Sequence, residues 1–281
     1  MKTKKNDCPV PSGKLFIIGG AENKSEIQEE VDTNKTVLGE FISVCKKSPV
    51  IEVITTAGME DVEGTFSTYA RCFTDLGAKS VNQIHHDSRP ADDAELLQRI
   101  DAADAIFFSG GDQLKLTATY GGTAFITAIK ERYIHNQLVI GGTSAGAMAM
   151  STPMIFEGSG QREMIAAAVK ITTGFEFLKD VCIDTHFVHR GRFVRMAQVI
   201  ATNPASIGIG IEEDTAVLIT EGLNARIIGS GVVLVIDGEN SYGSNIVNYN
   251  ADKKITIRNL NVSVLSDGEE FVIPCRNPPH I

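Results

Sequence analysis

Residues 139–150 read VIGGTSAGAMAM, a hydrophobic run that ends in small residues around one serine. Residues 142–146 match the G-x-S-x-G pattern, in which a serine occupies a sharp, strained turn between a strand and a helix. Only small residues fit beside such a turn, because larger side chains collide with neighbouring backbone. The stretch therefore predicts that the Ser144 hydroxyl is exposed above a sheet, where the N-terminus of the next helix favours negative charge.

The same pentapeptide has a simpler interpretation. A glycine-rich turn between a strand and a helix also binds phosphate, or only packs tightly. The Gly-Lys-Ser/Thr sequence of a phosphate-binding P-loop does not accompany it here. Ser144 is therefore the candidate nucleophile, and its chemistry depends on what the rest of the chain supplies.

Apolar runs of strand length alternate with segments of helical periodicity on the N-terminal side of this turn. Strands are predicted in KLFIIGG (14–20), PVIEVITTA (49–57), KSVNQIHH (79–86), DAIFFSGG (104–111) and QLVIGG (137–142). The helices between them are predicted at 25–47 with Ser25 as N-cap, near 61–76, near 92–101 and within 113–133. This alternation predicts an α/β fold with a mostly parallel sheet flanked by helices.

The pattern changes after residue 205, where short apolar runs are separated by turn residues. These runs are IGIGIEE, TAVLIT, ARIIGS, GVVLVIDG and KKITIRN. They predict antiparallel strands that complete the same sheet or form a small second layer. Because no linker or repeat interrupts the sequence, residues 14–281 are predicted to form a single domain, preceded by a flexible extension over residues 1–13.

The composition excludes several classes of protein. The chain has 281 residues, of which 43% are hydrophobic and 22% charged, as in ordinary globular proteins. Its net charge of −9 argues against nucleic-acid binding and favours a cationic ligand. No apolar stretch approaches the roughly 20 residues of a membrane span. Five scattered cysteines without C-x-x-C spacing predict neither a disulfide framework nor a zinc site, so a cytoplasmic location is expected.

A serine hydroxyl needs a base within hydrogen-bond reach. Two of the six histidines, His186 and His189, lie in VCIDTHFVHRGRFVRM (181–196), where an apolar strand ends and a basic segment begins. The carboxyl ends of strands form the edge at which open α/β sheets bind ligands. His186 is the predicted base because it is nearest the strand end, and His189 is the alternative.

Two further groups of polar residues follow predicted strands. The basic segment contains Arg190, Arg192 and Arg195. Arginine binds carboxylates through two parallel hydrogen bonds, which suits aspartyl groups, although a solvated helix face is the simpler interpretation. The loop in FFSGGDQLKL (107–116) offers glycine N–H groups together with Asp112 and Gln113. Three such loops at one sheet edge predict a catalytic site.

Five motifs taken in chain order resemble cyanophycinase, a serine peptidase family related to the aspartyl dipeptidases. They are IIGGAENK, FFSGGDQLKL, GGTSAGAMAM, DTHFVHRGRFVRM and IGIGIEEDTAVLI, and they extend over nearly the whole chain from about residue 14. The resemblance implies a fold like that of class I glutamine amidotransferases. It also implies hydrolysis of cyanophycin, a poly-aspartate backbone with arginine attached to each β-carboxyl, to β-aspartyl-arginine dipeptides, often by a homodimer.

The resemblance implies a role for each residue at a matching position. Ser144 is the implied nucleophile and His186 its general base, which act through an acyl-enzyme. The N–H groups of Gly111 and Ala145 are expected to bind the oxyanion. No metal or cofactor is implied. The implied substrate-binding residues are Gln113, Asp184, Arg190, Arg192 and Arg195.

Two positions leave questions open. Elbow hydrolases have the chain order Ser, acid, His, which points to Glu157 or Glu163 as the acid that orients His186. Glu163 is expected, because the glutamate of the family lies at about that spacing. Thr185 stands where the family has glutamine, in Asp-Gln-His-Phe, and so removes an amide from an implied substrate-binding position. The substrate is thus either the polymer or a small aspartyl or isoaspartyl peptide, and a non-catalytic binding protein of the same fold is the third alternative.

Overall fold

The structure, a computed structural model, describes residues 9–24, 36–90, 93–158, 160–248 and 252–275. Most of the extension predicted over residues 1–13 and the predicted N-cap Ser25 lie outside these residues. The helix predicted over 25–47 is described only from residue 36, where the Thr36 hydroxyl accepts a hydrogen bond from the Gly39 N–H and caps the first helix.

The described residues form sixteen strands and seven α-helices. The strands are β1 Lys14–Ile18, β2 Val50–Ile54, β3 Ser80–Ile84, β4 Ala105–Phe108, β5 Val139–Thr143, β6 Ser151–Thr152, β7 Met154–Glu157, β8 Lys170–Thr172, β9 Leu178–Lys179, β10 Val181–Thr185, β11 Ile207–Ile211, β12 Thr215–Thr220, β13 Asn224–Gly229, β14 Val233–Asp237, β15 Asn261–Leu265 and β16 Glu270–Val272. The helices are α1 Val37–Ser43, α2 Val62–Asp75, α3 Ala94–Ala102, α4 Gln113–Tyr120, α5 Ala124–His135, α6 Ala145–Met148 and α7 Phe193–Thr202. None of these helices has the length and apolarity of a membrane span.

The larger sheet has eight strands in the order β16-β13-β12-β1-β5-β4-β2-β3. The five strands from β1 to β3 in this order are parallel, and β12, β13 and β16 add an antiparallel extension on the other side of β1. Strands such as β4 are buried along their whole length, since helices cover both faces of a parallel sheet. The predicted α/β class with a mostly parallel sheet is therefore confirmed.

A second sheet of six strands has the order β15-β14-β11-β10-β6-β9. It corrects two predictions for the C-terminal part. IGIGIEE contributes β11, which pairs parallel with β10, because α7 between them returns the chain to the same edge. KKITIRN forms no strand, only isolated bridges, because Ile255 and Ile257 are only partly buried and gain little from a ladder.

The carboxyl ends of the two sheets meet at the end of β1. The Ser144 N–H, just after β5 of the larger sheet, donates to the Ile18 carbonyl at 3.1 Å. The His186 N–H, just after β10 of the second sheet, donates to the Gly19 carbonyl at 2.8 Å. Two consecutive carbonyls thus bring the predicted nucleophile and the predicted base together.

A buried ion cluster joins β10 to α7. The Asp184 carboxylate, which is fully buried, accepts hydrogen bonds from Arg192 Nη1 at 3.1 Å and Arg195 Nε at 2.5 Å, and also from Arg195 Nη2. The Thr185 N–H adds another at 2.8 Å. Burial lowers the pKa of Arg192 to about 10, so its guanidinium remains charged at neutral pH. The cluster therefore holds β10, the strand that ends just before His186.

We expect Asp184→Ala to lower the free energy of unfolding by about 3–5 kcal/mol, because it leaves two largely buried guanidinium groups without their anion. Urea denaturation followed by circular dichroism measures the change. A loss below about 1 kcal/mol would contradict the structural role of Asp184 and favour the substrate-binding role that the resemblance implies.

Candidate active site

Ser144 occupies the sharp turn that the sequence predicts. Its backbone has φ 51° and ψ −114°, a conformation that residues with a side chain rarely adopt. A Cβ placed on Gly146 would lie 2.3 Å from the Phe108 carbonyl oxygen, so a larger residue does not fit there. The helix that follows, α6, is a single turn of four residues. Individual backbone N–H groups, and not the dipole of a long helix, thus provide the positive potential near the serine.

A hydroxyl, an imidazole and a carboxylate form a continuous relay. Ser144 Oγ lies 3.0 Å from His186 Nε2, and His186 Nδ1 lies 2.6 Å from Glu213 Oε1. A carboxylate at Nδ1 holds that nitrogen protonated, which leaves the lone pair of Nε2 for the serine hydroxyl. This arrangement can remove a proton from Ser144.

The carboxylate of the relay belongs to Glu213, and the expectation for Glu163 is wrong. Both ring nitrogens of His186 are engaged, one by Ser144 and the other by Glu213, so no position is left for a second acid. Glu163 lies instead in a 3₁₀ turn, where its backbone carbonyl accepts a hydrogen bond from Gln198. The other candidate, Glu157, forms ion pairs at the protein surface.

The surroundings of His186 favour its neutral form. Burial lowers the pKa of His186, and the positive charges of Arg190 and Arg192 lower it further, while the hydrogen bond to Glu213 acts in the opposite direction. The same hydrogen bond lowers the pKa of Glu213, which keeps this carboxylate ionised. A neutral imidazole beside an ionised carboxylate is the state that a general base requires.

The predicted oxyanion donors lie near the serine. A Cβ placed on Gly110 would lie 3.5 Å from the Ser144 Cβ, so the peptide unit that carries the Gly111 N–H begins beside the nucleophile. The Ala145 N–H follows Ser144 directly. Within the described residues, neither N–H has a hydrogen-bond acceptor. Neither group is therefore engaged by a backbone acceptor within these residues.

A cleft of about 390 Å³ opens beside Ser144 and His186. The segment after β1 contributes Glu22 and Lys24 to its lining, and the start of α2 contributes Asp61. None of these three was predicted as a site residue, although IIGGAENK places two of them directly after a strand, where ligand-binding residues are common.

The predicted substrate-binding residues near His186 are mostly buried. Asp184 and Thr185 are fully buried and Arg195 is 5% exposed, so none of them lines the cleft. The reason is the ion cluster, in which both arginines beyond Arg190 neutralise Asp184. Since Thr185 is buried, its own side chain does not line this cleft.

Gln113 and Arg190 have different positions. The Gln113 Nε2 donates to the Ile155 carbonyl at 2.8 Å, so its amide supports the neighbouring strand β7 rather than lining the cleft. Arg190 is exposed and acts electrostatically on His186. Among the three predicted arginines, it alone is exposed, since Arg192 is half-buried and Arg195 buried.

Comparison with known proteins identifies the family. Residues 15–227 match the model of Peptidase family S51, which is more than half of the chain and includes all three residues of the relay. The chain belongs to peptidase family S51. It is therefore a serine-type peptidase, as the motifs indicate.

Similar proteins support this assignment over most of the chain. The sequence is 31% identical over 274 residues to a cyanophycinase of Synechococcus elongatus, across 95% of this chain and 81% of that protein. It is 28% identical over 258 residues to a cyanophycinase of Geminocystis herdmanii, across 92% of each. The crystal structure of a peptidase from an acI-B1 Actinobacterium superimposes with a TM-score of 0.67 at 20% identity, across 94% of this chain and 98% of that one. At this identity the structural likeness shows the fold alone.

One group in the described part of this S51 peptidase has the spacing of metal ligands. The side chains of His189, Glu212 and Glu213 have ligand atoms within 4.8 Å of one another. However, Glu212 Oε2 already accepts hydrogen bonds from the N–H groups of Val188 and His189, and Glu213 binds His186. These carboxylates support the relay, and the absence of a metal or cofactor in the reaction stays a prediction.

We expect Glu213→Gln to slow the reaction of Ser144 with a serine-directed phosphonate by about 10²- to 10⁴-fold, because an amide no longer stabilises the protonated imidazole. Mass spectrometry of the labelled protein measures this rate without any assumption about the substrate. Glu163→Gln is the matched control and should react at the rate of the unmodified chain. Equal slowing of both variants would contradict the relay.

We expect Arg190→Gln to move the acid limb of the labelling rate to higher pH. Labelling needs neutral His186, so the rate falls as the pH drops through the pKa of this residue. Loss of a positive charge raises that pKa toward its ordinary value. Arg226→Gln, which removes an exposed arginine on β13, should leave the midpoint unchanged. If both variants keep the original midpoint, the charge of Arg190 does not control His186.

Proposed function

We propose that this S51 peptidase is an exopeptidase that hydrolyses cyanophycin to β-aspartyl-arginine dipeptides. Ser144 is its nucleophile, His186 its general base and Glu213 the acid that orients the base. The observation that carries the proposal is the hydrogen-bonded relay of these residues in a chain that resembles cyanophycinases over nearly its whole length. The burial of Asp184, Thr185 and Arg195 leaves the recognition of the polymer to other residues.

The relay geometry gives each group a step in the reaction. His186 Nε2 accepts the Ser144 proton while Oγ attacks the carbon of the scissile carbonyl. The resulting oxyanion accepts hydrogen bonds from the N–H groups of Gly111 and Ala145. His186 then donates its proton to the leaving amine, the C–N bond breaks, and an ester to Ser144 remains. Water, activated by the same imidazole, opens the ester and restores the enzyme, while Glu213 stabilises each imidazolium state.

A second candidate substrate is a small aspartyl or isoaspartyl peptide. The observation that favours it is the burial of the ion cluster, since the residues expected to hold a long polymer offer no surface to it. A cleft of about 390 Å³ also accommodates a dipeptide. This candidate keeps the same relay and the same acyl-enzyme chemistry.

We also propose that the enzyme is a cytoplasmic homodimer. The resemblance to cyanophycinases supports the dimer, and the scattered cysteines support a reducing compartment.

Purified protein incubated with cyanophycin should release β-aspartyl-arginine, measured by mass spectrometry over a time course. An exopeptidase gives the dipeptide from the earliest sample, without intermediate oligomers. Ser144→Ala should release none, which excludes a contaminating peptidase. If the polymer stays intact while isoaspartyl dipeptides are cleaved, the second candidate replaces the first.

A further inference from the structure

Three charged residues outside the relay line the cleft beside Ser144, and two of them, Lys24 and Asp61, are at least partly exposed. Lys24 and Asp61 both line it, the former after β1 and the latter before α2. Of the described residues in its lining, Lys24 is the single lysine or arginine, because the arginines that follow His186 do not reach it. Lys24 and Asp61 are thus the candidates for contact with a charged substrate in this cleft.

Lys24 is held in place by a buried carboxylate. Its Nζ lies 3.0 Å from Glu22 Oε1 and 4.9 Å from the centre of the Tyr69 ring. Glu22 is 4% exposed, and the hydroxyls of Tyr69 and Thr143 also donate to its oxygens. A carboxylate at this depth requires such partners. Lys24 itself keeps 31% of its side-chain surface exposed, and its ammonium has three N–H donors, so it can bind a further anion.

Asp61 is fixed in a comparable way. It is the N-cap of α2, where its Oδ1 accepts a hydrogen bond from the Gly64 N–H at 3.0 Å. Its left-handed backbone, with φ 42°, suits aspartate or asparagine. The cap uses one carboxylate oxygen, and the exposed side chain keeps acceptor capacity for a cation in the cleft. A carboxylate positioned by its own helix loses little freedom when it binds.

The substrate of the proposed function has a complementary pair of charges. In β-aspartyl-arginine the arginine is joined through its α-amino group, so its α-carboxylate and its guanidinium both stay charged. Each repeat of the polymer therefore carries an anion and a cation on one side chain. Isoaspartyl peptides with an uncharged second residue offer the carboxylate alone.

We propose that Lys24 binds the arginyl carboxylate and Asp61 binds the guanidinium of the unit at the scissile bond, so that this pair selects an arginine-bearing substrate. The inference rests on the proposed function, hydrolysis of cyanophycin. It assigns substrate recognition to two residues in the N-terminal third of the chain. The arginines that bind Asp184 have a structural role instead.

The test compares three soluble substrates. One is a synthetic trimer of the aspartyl-arginine repeat, the second has citrulline in place of arginine, and the third has argininamide. Citrulline removes the cation and argininamide removes the anion, with little change in shape. Asp61→Asn keeps the helix cap and loses the charge, and Lys24→Met loses the ammonium. The matched controls are Asp93→Asn, the N-cap of α3, and Lys130→Met, a lysine with the same 31% exposure that pairs with Glu176.

We expect Asp61→Asn to lower kcat/KM on the arginyl trimer about tenfold or more, mainly through KM, and to leave turnover of the citrulline analogue at the level of the unmodified chain. Lys24→Met should show the same pattern between the arginyl trimer and the argininamide analogue. Lys24→Arg keeps the charge and should restore most of the loss. Both controls should match the unmodified chain on all three substrates.

The inference would be overturned if Asp61→Asn lowered kcat/KM equally on the arginyl trimer and the citrulline analogue, or Lys24→Met equally on the arginyl trimer and the argininamide analogue. The substitution would then disturb the fold or the relay and not the binding of one substrate charge. Unchanged turnover of the trimer by both variants would also overturn it. If the unmodified chain cleaves none of the three substrates while the phosphonate still labels Ser144, the proposed function fails and the inference with it. Cleavage of the trimer without the predicted selectivity removes the inference alone.

Discussion

The active site depends on two backbone hydrogen bonds at the end of β1. The carbonyls of Ile18 and Gly19 accept the N–H groups of Ser144 and His186, which belong to different sheets. Because the two carbonyls are consecutive, the nucleophile and the base can reach 3.0 Å from each other although no strand ladder connects them. The next residue, Gly20, has φ 100°, and a Cβ there would lie 2.4 Å from the His186 ring. The glycines of IIGG are thus needed for the contact between the sheets. The residues that follow them include Glu22 and Lys24, which line the cleft.

The buried ion cluster supports the same contact from the opposite side. Arg192 donates to the Thr185 carbonyl at 2.7 Å as well as to Asp184, so the last residue of β10 is fixed on both its N–H and its carbonyl. The charge of Arg192 also helps to keep His186 neutral. A basic segment that the sequence associates with substrate carboxylates therefore does two other things: it holds the base in position, and it lowers the pKa of that base.

Sequence patterns predict the parallel half of the fold well, because each strand and helix there has a strong local signal. They also predict Ser144 and His186, which follow strands directly. Glu213 is not predicted as the acid, because chain order in other elbow hydrolases points to residues before His186, whereas Glu213 follows β11. The sequence does contain a signal for Glu213, since a strand, a helix and a second strand in succession indicate a parallel pair whose ends are adjacent.

The burial of Arg195 is harder to predict, because a charged residue in the sequence does not reveal which residue it pairs with. Asp184, inside the apolar run VCIDT, indicates that a cation is buried nearby, because a carboxylate in such a strand needs a cation beside it.

The two contacts of the relay have different structural origins. Thr185 and Ile211 are register partners in the parallel pair β10 and β11, so the residues that follow them, including His186 and Glu213, lie side by side as a direct result of strand pairing. Base and acid thus follow two adjacent strands of one sheet, and α7 and the ion cluster support this arrangement. Ser144 belongs to the other sheet, and its distance to His186 is set by the hydrogen bonds at Ile18 and Gly19. A small displacement between the sheets would lengthen the contact from serine to histidine while leaving the contact from histidine to glutamate intact. Residues 19–24, which follow β1, therefore have a double importance, because Gly19 accepts the His186 N–H at the relay and Glu22 and Lys24 line the cleft.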